Sequence, residues 1–276
     1  ARKRLWLSFH ARICRVVFQA AIIGTPAGQI MPHPIRIGIG GWTFPPWRGR
    51  FFPAGLPHAQ ELAFAARALT AIEVNGTFYR TQTPATFAKW AREVPDGFVF
   101  ALKAPRYATA RGELATAGES VTRFLQSGLA ELGDRLGPIN WQLPPNKSFD
   151  PDDMAAFLDL LPDRIDGLPL RHAIEVRHES FASDEFAALL RPRGIAAVQA
   201  GDSDYPVILA ATAPFAYLRI MGTSEDAPQG YAPADLDRWA KAARTIAKDR
   251  EVFLFVISGH KAANPEAALA LIERLG

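Results

Sequence analysis

The chain has 276 residues, 49% of them hydrophobic, and a formal net charge of +3. That length allows one large α/β domain or two small ones. The single cysteine, Cys14, excludes an internal disulfide and a cysteine-built metal site, and no run of 18 apolar residues supplies a membrane-spanning helix.

Residues 1–34 come first and carry the basic character. They hold five of the 31 basic residues and none of the 28 acidic ones, so the rest has 26 basic against 28 acidic, a net of −2. A globally basic nucleic-acid footprint is therefore absent from the body, although a local patch is not excluded. Three readings fit this stretch: a targeting sequence, an amphipathic interaction helix, or an upstream extension with no structural role. The apolar run "VVFQAAIIGTPAG" is interrupted by Gln19 and lacks a good cleavage signal, and Met31 stands just before the first clear strand. The extension is the expected reading, with 1–34 outside the fold. One cysteine is compatible with a reducing cytoplasm, the expected location.

From residue 35 short apolar strands alternate with helix-period segments. The expected strands are "RIGIGG" (36–41), "AIEVN" (71–75), "FVFALK" (98–103), "INWQL" (139–143), "AIEV" (173–176), "IAAVQA" (195–200), "AYLRI" (216–220) and "VFLFVI" (252–257). Helices are expected over 58–69, 84–93, 119–135, 151–161, 184–191, 233–248 and 264–275. Thr83, Asp150 and Asn264, each followed by proline, are expected caps. The stretch 201–215 carries no strong helix signal. Serial β–α units imply a parallel sheet, and eight strands in this length match a single closed (β/α)₈ TIM-like barrel spanning 35–276. An open doubly wound sheet is the alternative, but "GIGGW" lacks the GxGxxG spacing.

In such a barrel reactive groups come from the carboxyl ends of strands. Glu73 and Asn75 are two apart, so they share one strand face, and Thr77 and Tyr79 follow. Trp42 follows strand one, Lys103 ends strand three with Arg106 beyond it, and Gln142 ends strand four. Glu175, Arg177 and His178 end strand five, Asp202 and Asp204 follow strand six, Arg219 ends strand seven, and Ser258 and His260 follow strand eight. The amino ends of the strands carry few such groups.

Lys103, Arg106, Arg177 and Arg219 suit an anion pocket, because guanidinium forks match carboxylate and phosphate oxygens. Glu73 and Glu175 offer a general acid and base if their surroundings separate their pKa values. His178 offers the same chemistry or is an ordinary loop histidine. Trp42 and Tyr79 can stack on a substrate, and Trp47 reads as a loop anchor. The bland alternative is that Glu175 with Arg177, or Glu73 with Lys103, are ion pairs holding the barrel closed. No cofactor is expected; a Mg²⁺ on Glu73, Glu175 or Asp202 is not excluded.

The blocks "IGIGGWTFPPWRGRFFP", "AIEVNGTFYR", "FVFALKAPR", "LGPINWQLPP", "HAIEVRHESF", "AYLRIMG" and "DLDRWA" occur in order. With them the chain from about 35 to 276 resembles the DUF72 (YecE-like) family. The resemblance implies a TIM-barrel fold and a polar pocket at the strand carboxyl ends, with Glu73, Asn75, Thr77, Tyr79, Lys103, Gln142, Glu175, Arg177, His178 and Arg219 at motif positions. It assigns no reaction; distant likeness to endonuclease IV-type and sugar-isomerase barrels is a guide to fold. The sequence departs from the family pattern at Ala108–Ala110, at Met221-Gly222 and at "VISGHKAANP", which removes candidate metal or acid/base ligands and counts against a zinc nuclease.

The expected function is thus an enzyme with an anion-binding pocket, doing hydrolase or lyase chemistry on a phosphorylated or carboxylated small molecule or a phosphodiester. A non-catalytic barrel binding nucleic acid or another ligand is the alternative, and a structural cup that has lost activity is the third reading. Composition leaves the oligomeric state open.

Overall fold

The computed structural model describes residues 32–276. The readings made of residues 1–31 lie outside the described residues. His33 and Pro34 already bond into the body: His33 N donates to Ala247 O at 2.7 Å, and Val252 N donates to Pro34 O at 2.9 Å.

Eight parallel strands close into a barrel: β1 (Ile35–Gly40), β2 (Ala71–Val74), β3 (Val99–Lys103), β4 (Leu136–Gln142), β7 (His172–Glu175), β8 (Ala196–Gly201), β9 (Phe215–Ile220) and β10 (Glu251–Val256). Each pairs with the next in this order, and β10 pairs back onto β1. A serial run of parallel strands returns to its first strand in this way when eight are available. The outer layer includes α1 (Glu61–Ala68), α3 (Pro84–Glu93), α5 (Gly118–Leu125), α6 (Pro151–Asp159), α7 (Asp184–Leu190), α8 (Pro233–Ile246) and α9 (Asn264–Leu275). Two one-turn helices, α2 (Gly76–Tyr79) and α4 (Arg106–Thr109), follow β2 and β3 at the carboxyl end.

The capping residues explain where two helices start. Thr83 accepts from Thr86 N, and Asp150 accepts from Asp152 N and Asp153 N, each with proline in the first turn. Asn264 is not a cap: it lies inside α9, and its Oδ1 accepts the Thr223 hydroxyl at 2.8 Å. The helix expected over 119–135 is broken. Gly128 takes φ 107°, and a Cβ there would lie 2.6 Å from Pro84 Cα, so α5 ends early and a 3₁₀ turn over 129–135 replaces its second half. A two-residue hairpin, β5 (Arg164–Ile165) and β6 (Leu168–Pro169), turns at Asp166-Gly167 with both φ positive; the sequence reading missed this Asp-Gly signal. Residues 202–214 contain no helix, as their composition suggests.

Inside the barrel the side chains form layers. Aromatic rings from β9 and β10 (Phe215, Tyr217, Phe253, Phe255) pack with small residues from β2, β3, β7 and β8, Ala71, Ala101, Ala173 and Ala196 among them. Large against small suits the taper of a small barrel. The amino end is less bare than expected: Arg36 and Arg171 both pair with Glu251, at 2.9 and 2.7 Å, and Arg171 lies over the Phe253 ring. The carboxyl end carries a second polar layer, built from Glu73, Lys103, Asn140, Gln142, Glu175 and Arg219.

Candidate functional site

Residues two apart on a strand point the same way, so four strands with an alanine or tyrosine at mid-barrel send their next inward residue to the carboxyl end. Ala71 leads to Glu73, Ala101 to Lys103, Ala173 to Glu175 and Tyr217 to Arg219. Glu73 and Glu175 are fully buried, and Lys103 and Arg219 nearly so.

Arg219 ties two strands together. Its Nε donates to Glu73 Oε2 at 3.0 Å and its Nη2 to Glu73 Oε1 at 3.1 Å, a parallel fork. Its Nη1 donates to both Glu175 oxygens at 2.7 Å. The Tyr217 hydroxyl adds a 2.7 Å bond to Glu73 Oε2. Glu175 also receives Asn140 Nδ2, Gln142 Nε2 and the Arg177 guanidinium. Burial alone would push the Glu175 carboxyl up, but Arg219 and Arg177 together outweigh it and hold the group at about 2. Burial likewise opposes the charge on Arg219, and the two carboxylates reverse that effect and raise its pKa.

Lys103 joins this cluster only through Gln142, whose Nε2 donates to Glu175. Its Nζ donates to Gln142 Oε1 at 3.0 Å and sits 3.9 Å from the Phe78 ring centre. No ion pair from Lys103 to a carboxylate forms among the described residues, so Glu73 takes Arg219 rather than Lys103 as its partner. Burial first, and Arg219 second, lower the lysine pKa to about 8; the pull of Glu73 and Glu175 only partly offsets them.

Above the layer opens a cavity of about 850 Å³. Its described lining includes Arg80, Lys103, Arg106, Arg177, Arg219 and Lys261, and no aspartate, glutamate, histidine or cysteine. Trp42 forms part of the wall, wedged edge-on against Trp90 with ring centres 5.2 Å apart, and Asn75, Tyr79 and Gln142 also line it. Neither Glu73 nor Glu175 reaches the cavity; both lie beneath Arg219.

Three expected site residues do other work. Thr77 is buried in α2, where its hydroxyl meets Val74 O at 3.0 Å and Lys103 O at 2.7 Å, a brace between strand ends. His178 accepts Ser180 N through Nδ1 and starts a 3₁₀ turn outside the cavity. Asp202 accepts Trp239 Nε1 at 2.7 Å and pairs with Arg238. The acidic residues considered for a Mg²⁺ are thus already matched with arginines, and no group of three or more His, Cys, Asp or Glu side chains suited to a metal occurs among the described residues. Trp47 is the loop anchor expected, fully buried with its Nε1 donating to Lys261 O.

Sequence reasoning missed Asn140 and Tyr217, which the same two-residue spacing from Gln142 and Arg219 points to. Arg80 stood inside a quoted motif without a role. Lys261 enters the cavity wall from the loop after β10, where no periodicity marks it.

A family model described as "Protein of unknown function DUF72" matches residues 36–276. Among solved structures, a DUF72 family protein from Thermotoga maritima shares 23% identity and a TM-score of 0.71, covering 88% of this chain and 99% of that one. A DUF72 family protein from Enterococcus faecalis shares 18% identity and a TM-score of 0.71, covering 87% of this chain and 95% of that one. At these identities the likeness is one of fold. No curated protein matches the chain.

Proposed function

The chain belongs to the DUF72 family, and from there we propose that it is an enzyme acting on a small phosphorylated or carboxylated molecule bound at the carboxyl end of the barrel. The observation that carries this reading is the sign of the cavity wall: six cationic side chains and no acidic one among the described lining residues. Cations set in low-dielectric walls concentrate anions; the Arg106 guanidinium suits a bidentate oxygen pair, and Arg177, whose Nε and Nη2 already donate to Glu175, adds its charge to the wall. The volume is that of a small-molecule site.

Lys103, rather than Glu73 or Glu175, is the group suited to move a proton. The two glutamates are fully buried and held by Arg219. With a pKa of about 8, roughly a tenth of Lys103 is neutral at pH 7. A base beside an anion clamp serves either hydrolase chemistry, by activating water, or lyase chemistry, by taking a proton next to a carboxylate or carbonyl. The glutamates fix Arg219, and through it the field at the cavity floor.

Calorimetric titration of the full chain with inorganic phosphate and with citrate tests the reading. Saturable binding is expected, weakened at least about tenfold in Arg177→Met, the size of one lost charge-assisted contact. Equal heats for the two proteins, or none in either, would sink it. A non-catalytic binding barrel is the second reading, favoured by Tyr79, which stands 72% exposed at the cavity lip beside Arg80 as a stacking platform would.

A further inference from the structure

We infer that Lys103 is a covalent group whose amine condenses with the carbonyl carbon of an aldehyde or ketone bearing a phosphate or carboxylate. The inference rests on the anion-binding reading of the same cavity and names its substrate class.

Three features point to a nucleophile. First, the Lys103 amine is nearly buried, yet it reaches the cavity and gives one hydrogen bond, to the Gln142 amide oxygen. The Phe78 ring covers another side at 3.9 Å. A buried structural lysine is normally matched by a carboxylate. Here the two nearby carboxylates are bound by Arg219 instead. Second, the protonated amine is costly: burial is the main cause and Arg219 adds to it, while Glu73 and Glu175 offset only part of the effect. Third, the described lining offers no carboxylate, imidazole or thiol, and its other proton carriers are the Tyr79 hydroxyl and the Lys261 amine. Carbonyl condensation suits this set: the two hydrogens of the released water come from the Lys103 amine, and solvent in the open cavity relays them from nitrogen to oxygen.

The lone pair of neutral Lys103 Nζ attacks the carbonyl carbon, and a C–N bond forms as the C=O π bond opens. Both amine hydrogens then leave with the carbonyl oxygen as water, the C=N bond closes, and a proton from solvent rests on the nitrogen. The anionic end of the substrate meets Arg106, Arg177 and Lys261 on the wall, so the carbonyl is directed to the floor.

The test incubates the full chain at pH 8 with glyoxylate, pyruvate and dihydroxyacetone phosphate in separate samples, each with sodium borohydride, followed by intact mass measurement and peptide mapping. At least one carbonyl is expected to leave a single reduced adduct per chain on the Lys103 peptide. Its yield should exceed labelling of Lys261, a second lysine of the same cavity, at least tenfold. Lys103→Met should lose the adduct, and excess inorganic phosphate should suppress it. No adduct with any of the three, or equal labelling of Lys103 and Lys261 in the unaltered chain, overturns the inference whether or not the variant folds. Phosphate binding measured on the same preparation separates the two failures. Saturable phosphate heat without an adduct removes the carbonyl step alone, whereas neither heat nor adduct removes the anion-binding reading as well.

Discussion

Arg219 donates to four carboxylate oxygens, two from Glu73 and two from Glu175, while Lys103 on the far side of the same layer donates to one amide oxygen. Stability should separate these two buried cations. The folded-state pKa of Lys103 lies near 8, below the ordinary 10.5, so between those values the unfolded chain binds more protons. Stability therefore rises as pH climbs from 8 towards 10.5, and below 8 the folded chain carries the whole cost of the buried charge. Lys103→Met should stabilise the protein at pH 7 by about 1–3 kcal/mol and give little gain at pH 10.5. Glu175→Gln should lose about 3–5 kcal/mol at pH 7, because Arg219 and Arg177 are left short of a counter-charge. Urea denaturation at the two pH values reads both variants; a Lys103→Met protein less stable at pH 7 would mean that the amine is a matched structural cation. The residues of this layer were legible in the sequence because the two-residue period of a strand fixes which side chains turn inward. Their pairing was not, because Arg219 reaches partners 146 and 44 positions away. Only closure of the barrel decides that Arg219, and not Lys103, meets Glu73.

Strand β4 shows how an element aims these residues. Phe100 pairs with Leu136, but Leu102 pairs with Ile139, so β4 spends three residues where β3 spends two. The extra residue falls at Gly137-Pro138, a bulge in which proline needs no ladder donor. Past the bulge Lys103 pairs with Asn140, and both Asn140 and Gln142 turn inward to Glu175. One residue fewer would send that pair to the outer face. The strand expected over 139–143 begins three residues earlier, ahead of Gly137-Pro138; the other expected strands fell within a residue or so of their observed bounds. A Cβ at Gly137 would lie 2.5 Å from Val99 Cγ1 and 2.8 Å from Phe100 O. Gly137→Ala should thus cost about 1–3 kcal/mol through overpacking and weaken phosphate binding with it, as the Gln142–Lys103 contact is displaced. An unchanged urea midpoint with unchanged phosphate affinity would show that the bulge does not set the register.

Across the whole molecule, charge is divided by place rather than by amount. Residues 35–276 carry a net of −2, yet six cationic side chains line one cavity at the carboxyl end of the barrel. This division was half legible: the strand ends announced a polar cup, but the loop-borne Arg80 and Lys261 join it only through the fold. It also bears on the nucleic-acid alternative. Affinity for a duplex grows with the number of phosphates neutralised along a surface. A recessed cavity of about 850 Å³ admits a small anion but not a duplex, whose major groove alone is about 12 Å wide. The five basic residues within 1–34 carry charge of their own, so the test compares cavity variants in the full chain. Filter binding of a duplex to the full chain at about 150 mM salt should therefore change less than about twofold in Arg177→Met, while phosphate binding to the same variant falls about tenfold or more. Were duplex binding to fall with Arg177 in the same proportion as phosphate binding, the cavity and the nucleic-acid surface would be one site, and the small-anion reading would give way to the binding barrel.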